Sequence, residues 1–329
     1  MDFTDLARLA SGHAEARIVQ AAVQLGVFEA LADRPEDAAG VARRLETEPR
    51  ATGLLLNALA ALGLLEKTGQ GFVPAPAARR YLVRGSPRYL GDMILFEASL
   101  WRCWENLADA VRSGLPARPP DMYQGDPAQT EIFIAAMDSL VRARGDAEIV
   151  ADALDWSRIG ELLDVGSGPA TYPIYLCRRF PALRVTIFDL PGTMKITERY
   201  VRGSGLSERF SLIAGDYRSD DIPGTYDAVF LSNIVHGEGD EQNRRLFAKL
   251  SGCLRPGGLV IVKDHILDDD AIRPPVGAVF SILMLLTTAS GRCYTFAEIR
   301  HWMEQAGLSG VRRVDLPPPL TSALVVATK

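Results

Sequence analysis

Apolar residues in the first quarter of the chain recur at helical spacing. Ile18, Ala21, Ala22 and Leu25 form one stripe, and Leu54, Leu55, Ala58, Leu59 and Leu62 form another. "ALGLLEKTGQGFVPAP" then places apolar runs on either side of Thr68-Gly69-Gln70-Gly71, which predicts a two-stranded hairpin after a helix. Two further helical stretches follow, "DMILFEASLWRCWENLADAVRSG" and "TEIFIAAMDSLVRARGDAEIVADAL". The Pro- and Gly-rich segment "GLPARPPDMYQGDP", read as a loop, separates them. Beyond Gly160 the texture changes to "ELLDVG", "RVTIFDL", "RFSLIAGD", "YDAVFLSN", "LVIVKDH" and "ALVVATK", short runs of Val, Ile and Leu with helical patterns between them. Alternation of that kind predicts an α/β, Rossmann-like, doubly wound and mostly parallel sheet.

These patterns divide the chain into helices plus hairpin over 1–88, a helical segment over 89–157 and the sheet domain over 158–329. Helices followed by a hairpin predict a winged-helix domain. Its candidate recognition helix, Ala51 to Leu62, offers Ala and Leu with only Asn57 able to read a base, so packing or dimer formation is predicted ahead of DNA binding. The apolar run Val276 to Leu286 is too short to span a membrane, a task that takes about 18 residues or more, and is expected as a buried helix.

Composition narrows the partner. The 329 residues are 47% hydrophobic and 23% charged, which is ordinary for a globular chain. A net charge of −5 and a pI of about 5.5 do not supply the basic face that binding to phosphate backbones needs. A small-molecule ligand is expected, with no nucleic acid and no membrane span. Cys103, Cys177, Cys253 and Cys293 form no CxxC pair, so neither a zinc knuckle nor a disulfide framework is predicted. The first residues, "MDFTDLARLA", lack the features of a signal peptide, and a cytoplasmic location is expected.

In an open parallel sheet the ligand lies at the carboxyl ends of the strands. Asp164, Asp189, Asp216 and the stretch Ser232 to His236 fall there. Gly166 and Gly168 let the backbone approach a ligand closely, and Pro169 is expected to open the next helix. Where a dinucleotide-binding turn has its third glycine stands Thr171, which argues against pyrophosphate. Asp189, at the end of the second strand, can accept both hydroxyls of a ribose. Asp216 can accept from an exocyclic amine of adenine while Tyr217 places a ring beside the base.

"LLDVGSGPA", "IFDLPGTM", "AGDYRSDDIPGTYDAVFLSNIVHGEGDE", "CLRPGGLVIVKD" and "GRCYTFAEIRHWMEQAGL" resemble, in that order, the S-adenosylmethionine-dependent O-methyltransferases related to the caffeic acid and acetylserotonin enzymes, bacterial natural-product members included. The resemblance covers nearly the whole chain and implies homodimerisation through the first domain. It implies that Gly166 and Gly168 border the methionine part of the cofactor, that Asp189 holds the ribose and that Asp216 and Tyr217 hold the adenine. Asp164, Leu190, Gly215 and Ser232 complete the implied cofactor set, Ser232 standing where many relatives carry a Lys or Arg. His236 matches the family's general base, and Asp264 matches an acid that orients it.

Two departures from the family pattern bear on chemistry. "HGEGDE" puts Gly237 and Glu238 where Asp and Trp are usual, and "GRCYT" offers Cys293 where a second acid would flank the base. An O-methyltransferase acting on a small aromatic or polycyclic secondary metabolite is the expected function, with a pocket lined by Met137, Phe280, Met284 and Cys293. C-methylation of a ring or enol carbon is one alternative and a ligand-responsive winged-helix regulator is another. No metal is expected, on the argument that Asp264 and His265 are strand neighbours facing opposite ways.

Overall fold

The structure is a computed structural model that describes residues 1–120 and 125–329. The expected loop Gly114 to Pro127 includes 121–124, which lie outside the described residues. The chain forms two compact units, Met1–Trp101 and Arg102–Lys329.

The first unit packs the helices Phe3–Leu25, Ala38–Leu45, Pro49–Ala61, Pro76–Tyr81 and Gly91–Ser99 with a hairpin of β1 (Leu65–Thr68) and β2 (Gly71–Pro74). The hairpin turns where glycine allows it. Gly71 has φ +123°, and a Cβ there would collide with the backbone of Glu36. The second expected stripe is misplaced around the helix Pro49–Ala61: Thr52, Leu56 and Leu59 face the core while Leu54 and Leu62 are exposed. The reason is phase, because Leu54, Leu55 and Leu56 are consecutive and only the contacts decide which is inside. Met1, Phe3, Leu6 and Leu9 are exposed as well, so this unit leaves several large apolar side chains uncovered.

The second unit is built on a seven-stranded sheet in the order β5-β4-β3-β6-β7-β9-β8. Strands β3 (Glu161–Val165), β4 (Arg184–Asp189), β5 (Phe210–Ala214), β6 (Tyr226–Ser232) and β7 (Leu254–Asp264) run parallel. β8 (Ser309–Asp315) and β9 (Ala323–Thr328) are antiparallel to their neighbours. β8 reads "SGVRRVD", too polar and too short of alternation to announce itself, and no strand was expected there. Alternate residues divide between the two faces. Leu163, Val165, Val229, Leu231, Val260 and Val262 join one core, and Leu162, Phe230 and Ile261 join the other. Both faces are therefore closed by helices, and polar groups collect at the strand ends. The run Val276 to Leu286 does form a helix, Pro275–Thr287, but it is not wholly buried: Val276 and Val279 are exposed while Met284 and Leu286 are covered.

Candidate active site

The loop after β3 passes through three left-handed residues, Gly166 (φ +68°), Gly168 (φ +59°) and Ala170 (φ +60°). A Cβ on Gly166 would collide with Cδ1 of Ile234. Glycine is required there by crowding as well as by conformation. Pro169 does not open the helix: Ala170 is the left-handed residue before it, and the helix runs Thr171–Arg179. A left-handed turn at Ala170 resets the chain direction two residues later than the proline alone indicates. Thr171, at the first helical position, donates its hydroxyl to Asp138 Oδ1 at 2.8 Å, which pins the helix start to the neighbouring helix Pro127–Arg144. The loop thus closes by a side-chain hydrogen bond where a dinucleotide turn uses a third glycine.

The two acids beside this loop are held by the loop itself. Ser167 Oγ donates to Asp164 Oδ2 at 2.6 Å, and the Gly168 amide donates to Asp189 Oδ2 at 2.8 Å. Burial pushes the Asp164 carboxyl up to about 7, with the charge of Asp189 adding to it against the Ser167 bond. Burial likewise lifts Asp189 to about 6 against the hydrogen bonds from the Gly168 and Leu190 amides. At the next strand end a Cβ on Gly215 would collide with the ring of Phe188. Asp216 is clasped by Arg218, whose Nε and Nη2 lie 3.0 Å from Oδ1 and 2.9 Å from Oδ2. Tyr217 donates its hydroxyl to Glu238 Oε1 at 2.7 Å, a link the sequence did not announce.

His236 sits in the short turn Val235–Gly237 past β6. Its Nδ1 lies 2.6 Å from Asp264 Oδ1 at the end of β7, and its backbone amide donates to Asp264 Oδ2 at 3.2 Å. With Nδ1 as the donor to the carboxylate, Nε2 is the ring nitrogen that can take a proton. Burial pushes the Asp264 carboxyl up, but the His236 imidazole and the His265 amide outweigh it and hold the group below the ordinary range. Phe280 stands edge-on to His236 with ring centres 4.9 Å apart.

His265 corrects the expectation that it faces away. β7 ends at Asp264, so strand alternation no longer governs the next residue. Its ring packs on the same Phe280, also at 4.9 Å, and its amide donates to Asp264 Oδ1 at 2.7 Å. Among the described residues no group of three or more His, Cys, Asp or Glu is placed to hold a metal ion.

The expected pocket residues separate by element. Phe280 and Met284 share the helix Pro275–Thr287, and the amide of buried Cys293 donates to Ser281 Oγ of that helix at 3.0 Å. Burial, reinforced by the charge of Asp264, pushes the Cys293 thiol up to about 12, so it is a neutral thiol where the second acid was sought. The neighbouring Gly291 is obligatory, because a Cβ there would collide with the His236 carbonyl. Met137 is half-buried on the helix Pro127–Arg144, next to the Asp138 that holds Thr171.

Ser232 pairs in register with Lys263 on β7. Lys263 is wholly buried, its Nζ 3.2 Å from Asp146 Oδ2, as an ion pair more than a directed hydrogen bond. Asp146 also takes both arms of Arg144, at 2.9 and 2.7 Å, and the Tyr172 hydroxyl at 3.1 Å. The signal for this cluster was present in "LVIVKDH", where a lysine interrupts a strand apolar on both faces.

The strand ends, a loop open to a close ligand and two buried carboxyls poised as acceptors fit an adenosyl compound. Comparison with known proteins agrees with that chemistry. An O-methyltransferase domain matches residues 104–309, and an O-methyltransferase dimerisation domain matches 7–84. The 3-hydroxy-5-methyl-1-naphthoate 3-O-methyltransferase of Streptomyces sahachiroi is 34% identical over 99% of this chain and 95% of its own. Human N-acetylserotonin methyltransferase in complex with S-adenosylmethionine superposes with a TM-score of 0.91 at 24% identity, over 100% of this chain and 98% of that one. PigF with S-adenosylhomocysteine gives 0.90 at 26% identity over the full length of both. The chain is therefore a member of the S-adenosylmethionine-dependent O-methyltransferase family, an enzyme with a dimerisation domain ahead of its Rossmann-like methyltransferase domain.

Proposed function

We propose that this enzyme methylates a hydroxyl on a flat, largely apolar aromatic acceptor, with His236 as general base. The observation that carries the reading is the His236–Asp264 pair at 2.6 Å, which engages Nδ1 and leaves Nε2 to act, on an imidazole ring that Phe280 meets edge-on. When bound, S-adenosylmethionine supplies the methyl group on its sulfonium. The protein's part is to hold the acceptor oxygen in line, to exclude water and to remove one proton. His236 Nε2 takes that proton, and Asp264 fixes the tautomer and balances the imidazolium that results. Asp189 would accept from the ribose hydroxyls. Gly166 and Gly168 would border the methionine part, Asp164, Leu190, Gly215 and Ser232 would line the same pocket, and the Asp216–Tyr217 corner would face the adenine.

Phe280, which meets His236 edge-on, would supply apolar surface together with Met284 and Cys293, and Met137 would join them as pocket wall. An aromatic ring fits that chemistry, as does the naphthoate named for the Streptomyces sahachiroi relative. A homodimer through residues before about Tyr89 is part of the proposal, supported by the dimerisation-domain match and by the uncovered Phe3, Leu6, Leu9, Leu54 and Leu62. The enzyme is proposed to act in the cytoplasm; no helix among the described residues is long and apolar enough to cross a membrane.

The test is methyl transfer from S-adenosylmethionine to a panel of hydroxylated naphthalenes and polycyclic phenols, the products being read by mass and by the position of the new methyl. A methyl on oxygen supports the reading. A methyl on carbon would replace it.

A further inference from the structure

Glu238 lies two residues past His236, and both its backbone carbonyl and its carboxylate are engaged. Its backbone carbonyl accepts from Tyr294 Oη at 2.6 Å and from Asn243 Nδ2 at 3.3 Å. Asn243 Nδ2 also bonds the carbonyl of Val235 at 3.0 Å, so the turn that carries His236 is tied down on both sides. The Glu238 carboxylate reaches the other way, to the hydroxyl of Tyr217 at 2.7 Å. Tyr217 is held at its other end by Lys249, whose Nζ donates to the Tyr217 carbonyl at 2.9 Å. Burial, with the Glu238 charge behind it, keeps the Tyr217 phenol far above its ordinary range, so the hydroxyl remains a donor.

The same corner of the sheet holds Asp216, already engaged by the two guanidinium nitrogens of Arg218. Of the pair expected to meet a purine, the Tyr217 ring is thus the part whose placement depends on a distant residue. That residue belongs to the base-bearing turn. Gly237, between His236 and Glu238, has nothing within 4 Å of where a Cβ would stand, so Glu238 reaches Tyr217 without crowding from its neighbour.

We propose that Glu238 is a positioning residue for the cofactor pocket, fixing the Tyr217 ring beside the adenine of bound S-adenosylmethionine and tying that ring to the turn that carries His236. The inference rests on the reading of the Asp216–Tyr217 corner as the adenine site. A phenol held at both ends presents one ring face without paying rotamer entropy on binding. A loose phenol would have to be ordered by each cofactor molecule.

Calorimetric titration of the full-length protein with S-adenosylhomocysteine tests this directly. Glu238→Ala and Tyr217→Phe are each expected to weaken binding about tenfold, because each cofactor molecule must then order the freed ring. The double variant should be no weaker than either single one, because both remove the same bond. Glu238→Gln, which keeps an acceptor for the phenol, should stay within about threefold of the unaltered protein. In steady state, KM for S-adenosylmethionine should rise in parallel while kcat at saturation stays within about threefold. Affinity for S-adenosylhomocysteine within about twofold in both single variants, or losses that multiply in the double one, would overturn the proposal. Should Glu238→Ala fail to fold, Tyr217→Phe and Glu238→Gln decide between the same outcomes. Asp189→Ala separates this from the underlying reading: if it leaves S-adenosylhomocysteine binding intact, the cofactor site itself is misplaced.

Discussion

His236 Nδ1 and Asp264 Oδ1 stand 2.6 Å apart although 28 positions separate them in the chain. Two neighbouring parallel strands make that possible, since β6 and β7 end side by side and the turn after β6 folds His236 back over the end of β7. The pairing leaves one imidazole nitrogen to receive a proton and one to be held.

His236→Ala should lower turnover by about 10²- to 10⁴-fold on an acceptor whose hydroxyl pKa lies well above 7, with S-adenosylhomocysteine affinity nearly unchanged. Asp264→Asn should be defective too, and the double variant should be little worse than His236→Ala, because the two act as one unit. Single-turnover rates check this. Rates within about threefold of the unaltered enzyme for both variants would remove the pair from the chemistry.

The carboxyls of Asp164 and Asp189 make the cofactor-free protein sensitive to pH in the range from 3.8 to about 7. Their folded-state pKa values are raised, so the folded chain keeps protons that the unfolded chain has already released. The stability they contribute is full below 3.8 and is lost as the pH rises through about 6 and then about 7. The depressed carboxyls of Asp216, Asp227 and Asp264 act below that window. His265, lowered by burial, works in the opposite direction below 6.5, so the comparison must be between variants. Asp164→Asn, which mimics the protonated acid, should melt close to the unaltered protein near pH 3.8 and progressively further above it as the pH rises to about 7. A melting difference that shrinks with rising pH would contradict the assignment.

Lys263 and Asp146 should respond unequally to removal. Asp146→Asn leaves the buried ammonium of Lys263 facing Arg144 without a counter-charge and should cost about 3 to 5 kcal/mol. Lys263→Met fills a similar volume and leaves Asp146 paired with Arg144, so a change of about 1 kcal/mol in either direction is expected. Urea unfolding of the two variants measures the contrast; equal losses would mean that Lys263 carries the cluster.

Gly291→Ala tests how closely the late loop supports the base. The added carbon would collide with the His236 carbonyl and come within 2.7 Å of Thr288 Oγ1. Turnover should fall by at least about tenfold as His236 is displaced from the acceptor hydroxyl, while S-adenosylhomocysteine affinity is preserved. A fully active Gly291→Ala enzyme would show that the loop yields without moving the imidazole.

Light scattering at micromolar concentration is expected to give the mass of a dimer. Leu54→Glu on the helix Pro49–Ala61 together with Leu62→Glu at its C-terminal cap, both exposed, should shift the population toward monomer. A monomeric mass for the unaltered protein would end the idea.

Much of this was legible in the chain. Asp189 and Asp264 each close a strand rich in β-branched and aliphatic residues and Asp164 stands next to the last residue of another, and that position alone marks them as lining the carboxyl edge of a parallel sheet. What stayed hidden were pairings between elements. Nothing local in "AGDYRS" or "HGEGDE" says that Tyr217 will meet Glu238, because the meeting depends on where two loops from different strands come to rest. The buried Lys263 was visible as an oddity, but its partner Asp146 lies in a helix more than a hundred residues earlier. Pro169 misled for a simpler reason: proline favours a first helical turn, and here the left-handed Ala170 claims the chain before the helix can begin.

The placing of β9 between β7 and β8 has a consequence for the order in which the enzyme can be made. Asp264 ends a strand whose outer neighbour is Ala323–Thr328, with Asp264 opposite Ala323. A nascent chain therefore carries the whole of β7 for some sixty residues of further synthesis before that edge is covered. Until then the unpaired edge of an apolar strand is open to other chains. During translation the half-made sheet keeps that edge exposed throughout this stretch, and Asp264 is among the last residues of β7 to reach its final surroundings.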